Sequence, residues 1–264
     1  MLINTVILFI RDLLPIFILL CIVISCFKLD KVITDTWLYI VSASVIGIFV
    51  FSYSYPVMSV LFDGFGIEII KTIALVLVYV SLLFGSVFLV NQQPLTVFKQ
   101  RIVTGGLVIF VIITASEFIV FLNSYITNAL SIRDIVAGLS IGLGICLSFS
   151  ALFYFLLSWL RRKEFFALLY LIFALFLSGQ ISQVINLLQQ VDILTSSESL
   201  WNSSNIIKDS SEYGHLFKTL VGYEASPSSE FLVFYAISLI IFIIIFYRNS
   251  LFSAKYPNVS REGK

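Results

Sequence analysis

Charge is scarce in this sequence. Asp, Glu, Lys and Arg make up 12% of its 264 residues, hydrophobic residues 59%, and the mean hydropathy is +1.05. A chain with so little polar surface cannot cover a large water-soluble core, which excludes an ordinary soluble globule and leaves helices packed in lipid. Histidine is reduced to His215, and the three cysteines, Cys21, Cys26 and Cys146, all lie in apolar runs. Without metal-ligand spacing, they read as small hydrophobes rather than as ligands or a redox pair. The formal net charge of +1 gives no reason to expect a nucleic-acid partner. No His-Glu-x-x-His and no nucleotide-binding loop occurs, and the one histidine falls in a connection rather than opposite a helical Ser or Asp. The sequence therefore reads as that of a non-enzyme with no permanently bound cofactor.

What the chain has in abundance is apolar sequence of spanning length. Seven segments, 2–27, 37–55, 66–92, 102–127, 135–160, 165–188 and 230–247, are each long enough to cross a bilayer as a helix. The expected fold class is all-α, a polytopic membrane protein of seven transmembrane helices, with 1–248 as one membrane domain and 249–264 as a tail. The first segment has no basic n-region and no small-residue cleavage site after Cys26, so it reads as a retained span rather than a signal peptide. Basic residues fall almost wholly on alternate connections, at Lys28 and Lys31, Lys99 and Arg101, Arg161 to Lys163, and from Arg248 to the end, while the opposite set holds Arg133, Lys208 and Lys218 against an excess of acids. The positive-inside rule then predicts an outside N-terminus and a cytoplasmic C-terminus in the cytoplasmic membrane. The longest connection, 189–229, becomes external, and at roughly 40 residues it is long enough to suspect structure of its own. Its second half, with glycines and aromatics in "GHLFKTLVGYEASPSSE", is expected to fold back onto the helices. In the fifth span "GLSIGLG" (138–144) offers a small-residue face, Gly138 with Gly142 and Ser140 with Gly144, that suits close helix packing.

The few charges inside or at the edges of the spans are Arg11, Asp12, Glu68, Lys71 and Glu117. An isolated charge at a helix centre costs about 2.5–3.5 kcal/mol to insert in lipid, so each must face a partner, water or the bundle interior. Glu68 and Lys71, three apart, share a helix face and are expected to form a structural pair. Asp12 and Glu117 each lie about 15 Å in from the outer ends of the first and fourth spans, so they can meet at one depth. Those two spans begin on opposite sides of the membrane, the arrangement of an inverted repeat of three helices plus three, here with a seventh helix added. The alternative is that Arg11 and Asp12 satisfy each other while Glu117 bonds a serine or tyrosine. Pro15 removes a helix hydrogen bond and clashes with the carbonyl at position 11, which predicts a kink and a freed carbonyl, either a ligand or a packing kink alone.

These residues carry a family resemblance that runs along essentially the whole chain. "GHLFKTLVGYEASPSSEFLVFY" (214–235) resembles the Gly-x-Leu-x-x-x-Leu-x-Gly-Tyr segment and last helix of the high-affinity iron permease family, the oxidase-dependent iron transporters of fungi and bacteria. "NTVILFIRD" (4–12) is similar to that family's opening. The family's hallmark is Arg-Glu-x-x-Glu in the first and fourth helices, whose acids bind iron in transit. Here the first copy is "RDLLP", with Arg11 matching, Asp12 for the first Glu and Pro15 for the second; the second is "ITASE" (113–117), which keeps only Glu117. The resemblance implies an iron permease with Asp12 and Glu117 as path acids and Arg11 as their electrostatic partner. It also implies that Asp209, Glu212, His215 and Glu224 of the external loop capture the ion or dock an extracytoplasmic oxidase, peroxidase or cupredoxin-type donor. Two carboxylates beside an arginine carry a net charge near −1, too little for a trivalent ion that needs several anionic ligands to offset its dehydration. Either a reduced site passes a divalent or weakly held cation, or transport is lost and the fold serves as a scaffold or regulatory subunit.

Overall fold

The computed structural model describes residues 2–26, 33–90, 97–127 and 132–255, whose regular secondary structure is helix alone. Helix α1 (Leu2–Leu8) runs through a π-turn (Phe9–Leu13) into α2 (Leu14–Cys26). There follow α3 (Ile33–Met58), α4 (Gly66–Val90), α5 (Val97–Thr127), α6 (Ile132–Arg162), α7 (Phe166–Gln190), α8 (Glu212–Val221) and α9 (Ser229–Lys255). Seven helical runs, the composite first helix, α3 to α7 and α9, are long and apolar enough to cross a membrane, so this is a multi-pass membrane protein. They coincide with the seven spans read from the sequence. The tail from 256 onward lies outside the described residues.

Burial separates central from peripheral helices. In the first and sixth spans 67% of the most apolar window is buried, against 11% in α3 and 17% in α9, so the composite first helix and α7 form the middle of the bundle. Exposed Phe49 and Tyr53 on α3 and Ile243 and Ile244 on α9 suit a lipid-facing rim. Helix α5 packs against α3 and α4, α4 against α7, α7 against α9, and α1 and α2 against α6. The core holds Ile18, Leu19 and Ile22 of α2, Leu82 of α4, Phe110 of α5, Phe173 and Phe176 of α7 and Phe242 of α9. Edge-on rings link the helices, with Phe110 and Phe176 centred 6.3 Å apart and Phe173 and Phe242 6.0 Å. A buried hydroxyl chain adds a polar tie, Tyr79 Oη to Ser238 Oγ at 2.9 Å and Ser238 Oγ to Ser178 Oγ at 2.8 Å, joining α4, α9 and α7. In a membrane such a bond is worth about 0.6 kcal/mol. The three cysteines are free and buried, packed as small side chains.

One sequence expectation needs correction here, and another takes a specific form. The small-residue face of α6 is narrower than predicted: a Cβ on Gly142 would meet the Phe9 ring at 2.6 Å, whereas Gly144 faces open space and Ser140 is exposed. "GLSIG" (138–142) also has the spelling Gly-x-Ser-x-Gly, which a nucleophile elbow shares. It lies in the middle of α6 rather than at a strand-to-helix turn, and Ser140 Oγ donates to the Val136 carbonyl at 2.9 Å. The disturbance expected at Pro15 takes the form of a widened turn just before it. Leu14 N–H bonds the Phe9 carbonyl five residues back, and Leu8 and Leu14 keep right-handed helical dihedrals. The Phe9 carbonyl also accepts from the Cys146 thiol at 3.6 Å, so it belongs to the α6 contact.

The connection between α7 and α9 does fold back. Ser211 caps α8 by accepting from Gly214 N–H at 3.0 Å, and Gly222 ends it in the left-handed conformation at φ +70°. Gly179 lets α7 approach this C-cap closely, since a Cβ there would sit 2.7 Å from Gly222 Cα. Tyr235 Oη donates to the Val221 carbonyl at 2.7 Å and fixes the same end from α9. Helix α8 thereby lies against α7, α2 and the π-turn.

Candidate functional site

A membrane bundle must hide its charges from lipid, and this one gathers them. Arg11, Asp12, Glu68, Lys71 and Glu117 all line one cavity of about 590 Å³, together with Asp209 and with His215 and Lys218 of α8. A second cavity of about 590 Å³ adjoins it, sharing Lys71, Gln183 and Lys218 and walled by Ser196, Ser197, Ser199, Ser226 and Ser228. The serines come from the α7–α9 connection, so the folded-back loop supplies the polar wall.

The π-turn positions the first pair. Adjacent residues on an α-helix do not face each other, yet Arg11 Nε donates to Asp12 Oδ1 at 2.6 Å and Nη2 to Oδ2 at 2.9 Å. The fork occupies both carboxylate oxygens, the strongest geometry for such a pair. Arg11 also stacks over Phe121 of α5, 4.5 Å from its ring centre, and Phe9 meets Phe118 edge-on at 4.9 Å. The π-turn is thus clamped against the face of α5 that carries Glu117.

The second pair differs from the expected one. Lys71 Nζ lies 2.7 Å from Glu117 Oε1 and 2.9 Å from Oε2, so the lysine bridges α4 to α5 instead of pairing with Glu68 along its own helix. Either pairing leaves one carboxylate without a base; Glu68 stands in the first turn of α4 whereas Glu117 lies well inside α5, where an unpaired charge costs more. Glu68 is left with Oε2 enclosed and without a hydrogen-bond partner. Asp12 and Glu117 therefore share one cavity, each closed by its own base.

The loop residues divide. Asp209 Oδ1 accepts from Ala225 N–H at 2.9 Å, and Glu224 Oε2 accepts from Lys218 Nζ at 2.8 Å and Asn186 Nδ2 at 3.2 Å, so both acids brace the folded-back segment. His215 faces the cavity; burial, then the positive charges of Arg11 and Lys218, hold its imidazole below the usual 6.5. Glu212 begins α8, and its side chain lies outside the described residues.

Sequence reasoning passed over Gln180 and the role of Lys71. Gln180 of α7 lines the cavity at 4% exposure, and its Nε2 has no partner. Its signal was an amide in the middle of an apolar span. Among the described residues no group of three or more His, Cys, Asp or Glu converges to hold a metal ion. What the cavity can offer a cation is carboxylates in ones and twos, amides and hydroxyls. No protein-family model, curated protein or solved structure matches the chain.

Proposed function

We propose that the chain is a permease of the cytoplasmic membrane that moves iron or a related metal cation through this cavity. One observation carries the reading: five ionisable side chains from the π-turn, α4 and α5 line a single cavity inside an otherwise apolar seven-helix bundle. Intramembrane charge is costly, and lining a water-filled path is what offsets it. The positive-inside distribution directs the cavity and the α7–α9 loop outward and the tail to the cytoplasm. Iron as cargo comes from the resemblance of "RDLLP", "ITASE" and 214–235 to the iron permeases. In this reading Asp12 and Glu117 are the path acids, and Arg11 and Lys71 keep them neutralised while the path is empty. The loop docks an oxidase, peroxidase or cupredoxin-type donor near His215. The composite first helix and α5 are the equivalent helices of an inverted repeat, with α9 outside it.

A specific observation favours a second reading. Both path acids already have basic partners at 2.6 and 2.7 Å, as a scaffold or regulatory subunit with no cargo would require. Uptake of radiolabelled iron into proteoliposomes separates the two, comparing the native protein with Asp12→Ala and Glu117→Ala at matched reconstitution. Uptake that falls in both variants supports the permease. Absence of uptake by the native protein, in either iron oxidation state and with a donor supplied, moves the function to the scaffold.

A further inference from the structure

We propose that Glu68 and Glu117 are the two carboxylates of a divalent-cation site and that Lys71 is a tethered cation occupying it between transport events. This rests on the permease reading and replaces its path-acid pair with a different one.

The charges of the cavity are not equivalent. Asp12 has both oxygens held by the Arg11 fork, so it has little left to give an incoming ion. Lys71 also touches both oxygens of its partner, but as a flexible ammonium without the fork's fixed geometry. It stands one turn after Glu68 on the same face of α4 and lines both cavities, so it has somewhere to go. Glu68 Oε2 is enclosed with no partner, an arrangement that is expensive unless something arrives to satisfy it.

An independent observation comes from α7. Gln180, on α7, is almost wholly buried, lines the same cavity and has an unsatisfied amide nitrogen. A half-turn about its last side-chain bond presents the amide oxygen in place of the nitrogen. Tyr55 of α3 lines the same cavity as Glu68 and Glu117, so its hydroxyl is a further oxygen donor to that space. The donor set is two carboxylates with amide and hydroxyl oxygens, the set that suits hard divalent ions such as Mn²⁺ and Mg²⁺.

Charge decides the valence. With the ammonium in place Glu68, Lys71 and Glu117 sum to −1, and with it swung aside the two acids sum to −2. A divalent ion then leaves the site neutral. A trivalent ion leaves an uncompensated positive charge in a low-dielectric bundle, and a monovalent ion gains nothing over the lysine it displaces.

The test measures Mn²⁺ binding by electron paramagnetic resonance on the full chain in nanodiscs, with native protein, Lys71→Met, Lys71→Arg and Glu68→Gln checked for monodispersity and helix content. A site blocked nine-tenths of the time binds about tenfold more weakly than the open one. Lys71→Met should therefore tighten Mn²⁺ binding by about that factor, Lys71→Arg should stay as weak as native or weaker, and Glu68→Gln should lose it. Native and Lys71→Met proteins that both fail to bind Mn²⁺ overturn the proposal, as does Glu68→Gln binding like native. Native uptake that survives Glu68→Gln unchanged also overturns this site while leaving the permease standing. Tightening in Lys71→Met without uptake by any protein keeps the site and removes the permease.

Discussion

Lys71 Nζ and Glu117 Oε1 sit 2.7 Å apart, joining α4 to α5 across the cavity wall. The two side chains are 24% and 17% exposed, so neither charge is fully solvated and removing one strands the other. Lys71→Met and Glu117→Gln should each lower stability. The double variant should recover part of the loss, with a coupling of about 1–2 kcal/mol in thermal unfolding in detergent. Additive losses would mean that the contact contributes nothing to the fold.

The Arg11–Asp12 pair should respond asymmetrically. Asp12 is 7% exposed in its side chain and Arg11 41%, so the two single variants leave very different charges behind. Arg11→Met buries an unpaired carboxylate and should cost about 3 kcal/mol. Asp12→Asn leaves a half-solvated guanidinium still stacked on Phe121, and the loss should be near 1 kcal/mol. Equal losses in thermal melts would show that the pair is more water-exposed than its geometry implies.

The contrast between these pairs marks where sequence reasoning reached and where it stopped. Spans were legible because hydrocarbon leaves a composition signal over about 20 residues that local context cannot hide. The convergence of Asp12 and Glu117 on one cavity was approachable from depth along each helix. The partner of Lys71 was not: spacing along α4 pointed to Glu68, and the competing carboxylate stands 46 positions away on another helix. The π-turn was equally hidden, since Pro15 announces a disturbed helix without saying whether it bends or widens. Glycine was half legible. The glycines of "GHLFKTLVGYE" and "GLSIGLG" suggested close approach, but only the fold shows that Gly222 meets Gly179 and that Gly144 meets nothing.

That last difference is directly testable. Gly179→Ala places a methyl against the Gly222 backbone and cannot be relieved by turning a side chain. It should cost about 1–3 kcal/mol, and limited proteolysis should cut faster between α7 and α9 as α8 lifts away. Gly144→Ala has open space and a helical backbone, so it should be neutral or stabilising by up to about 1 kcal/mol. The two alanines behaving alike would contradict the docking of α8 through a glycine contact.

His215 gives the docked loop a pH response. Its imidazole faces Arg11 and Lys218, with Asp12 and Asp209 opposing them more weakly, and burial together with the two cations lowers its affinity for a proton below the ordinary 6.5. The unfolded chain then binds more protons than the folded one just below that value, so stability rises with pH through this window. The contribution is fully present above about pH 6.5 and declines as acid is added, until the folded imidazole itself becomes charged. Thermal unfolding between pH 7.5 and 5 should show the native protein losing stability faster than His215→Gln, which carries no proton at either end. The opposite order would require a carboxylate to dominate at His215, and Asp12, closed by the Arg11 fork, is the group that would have to be released to do it.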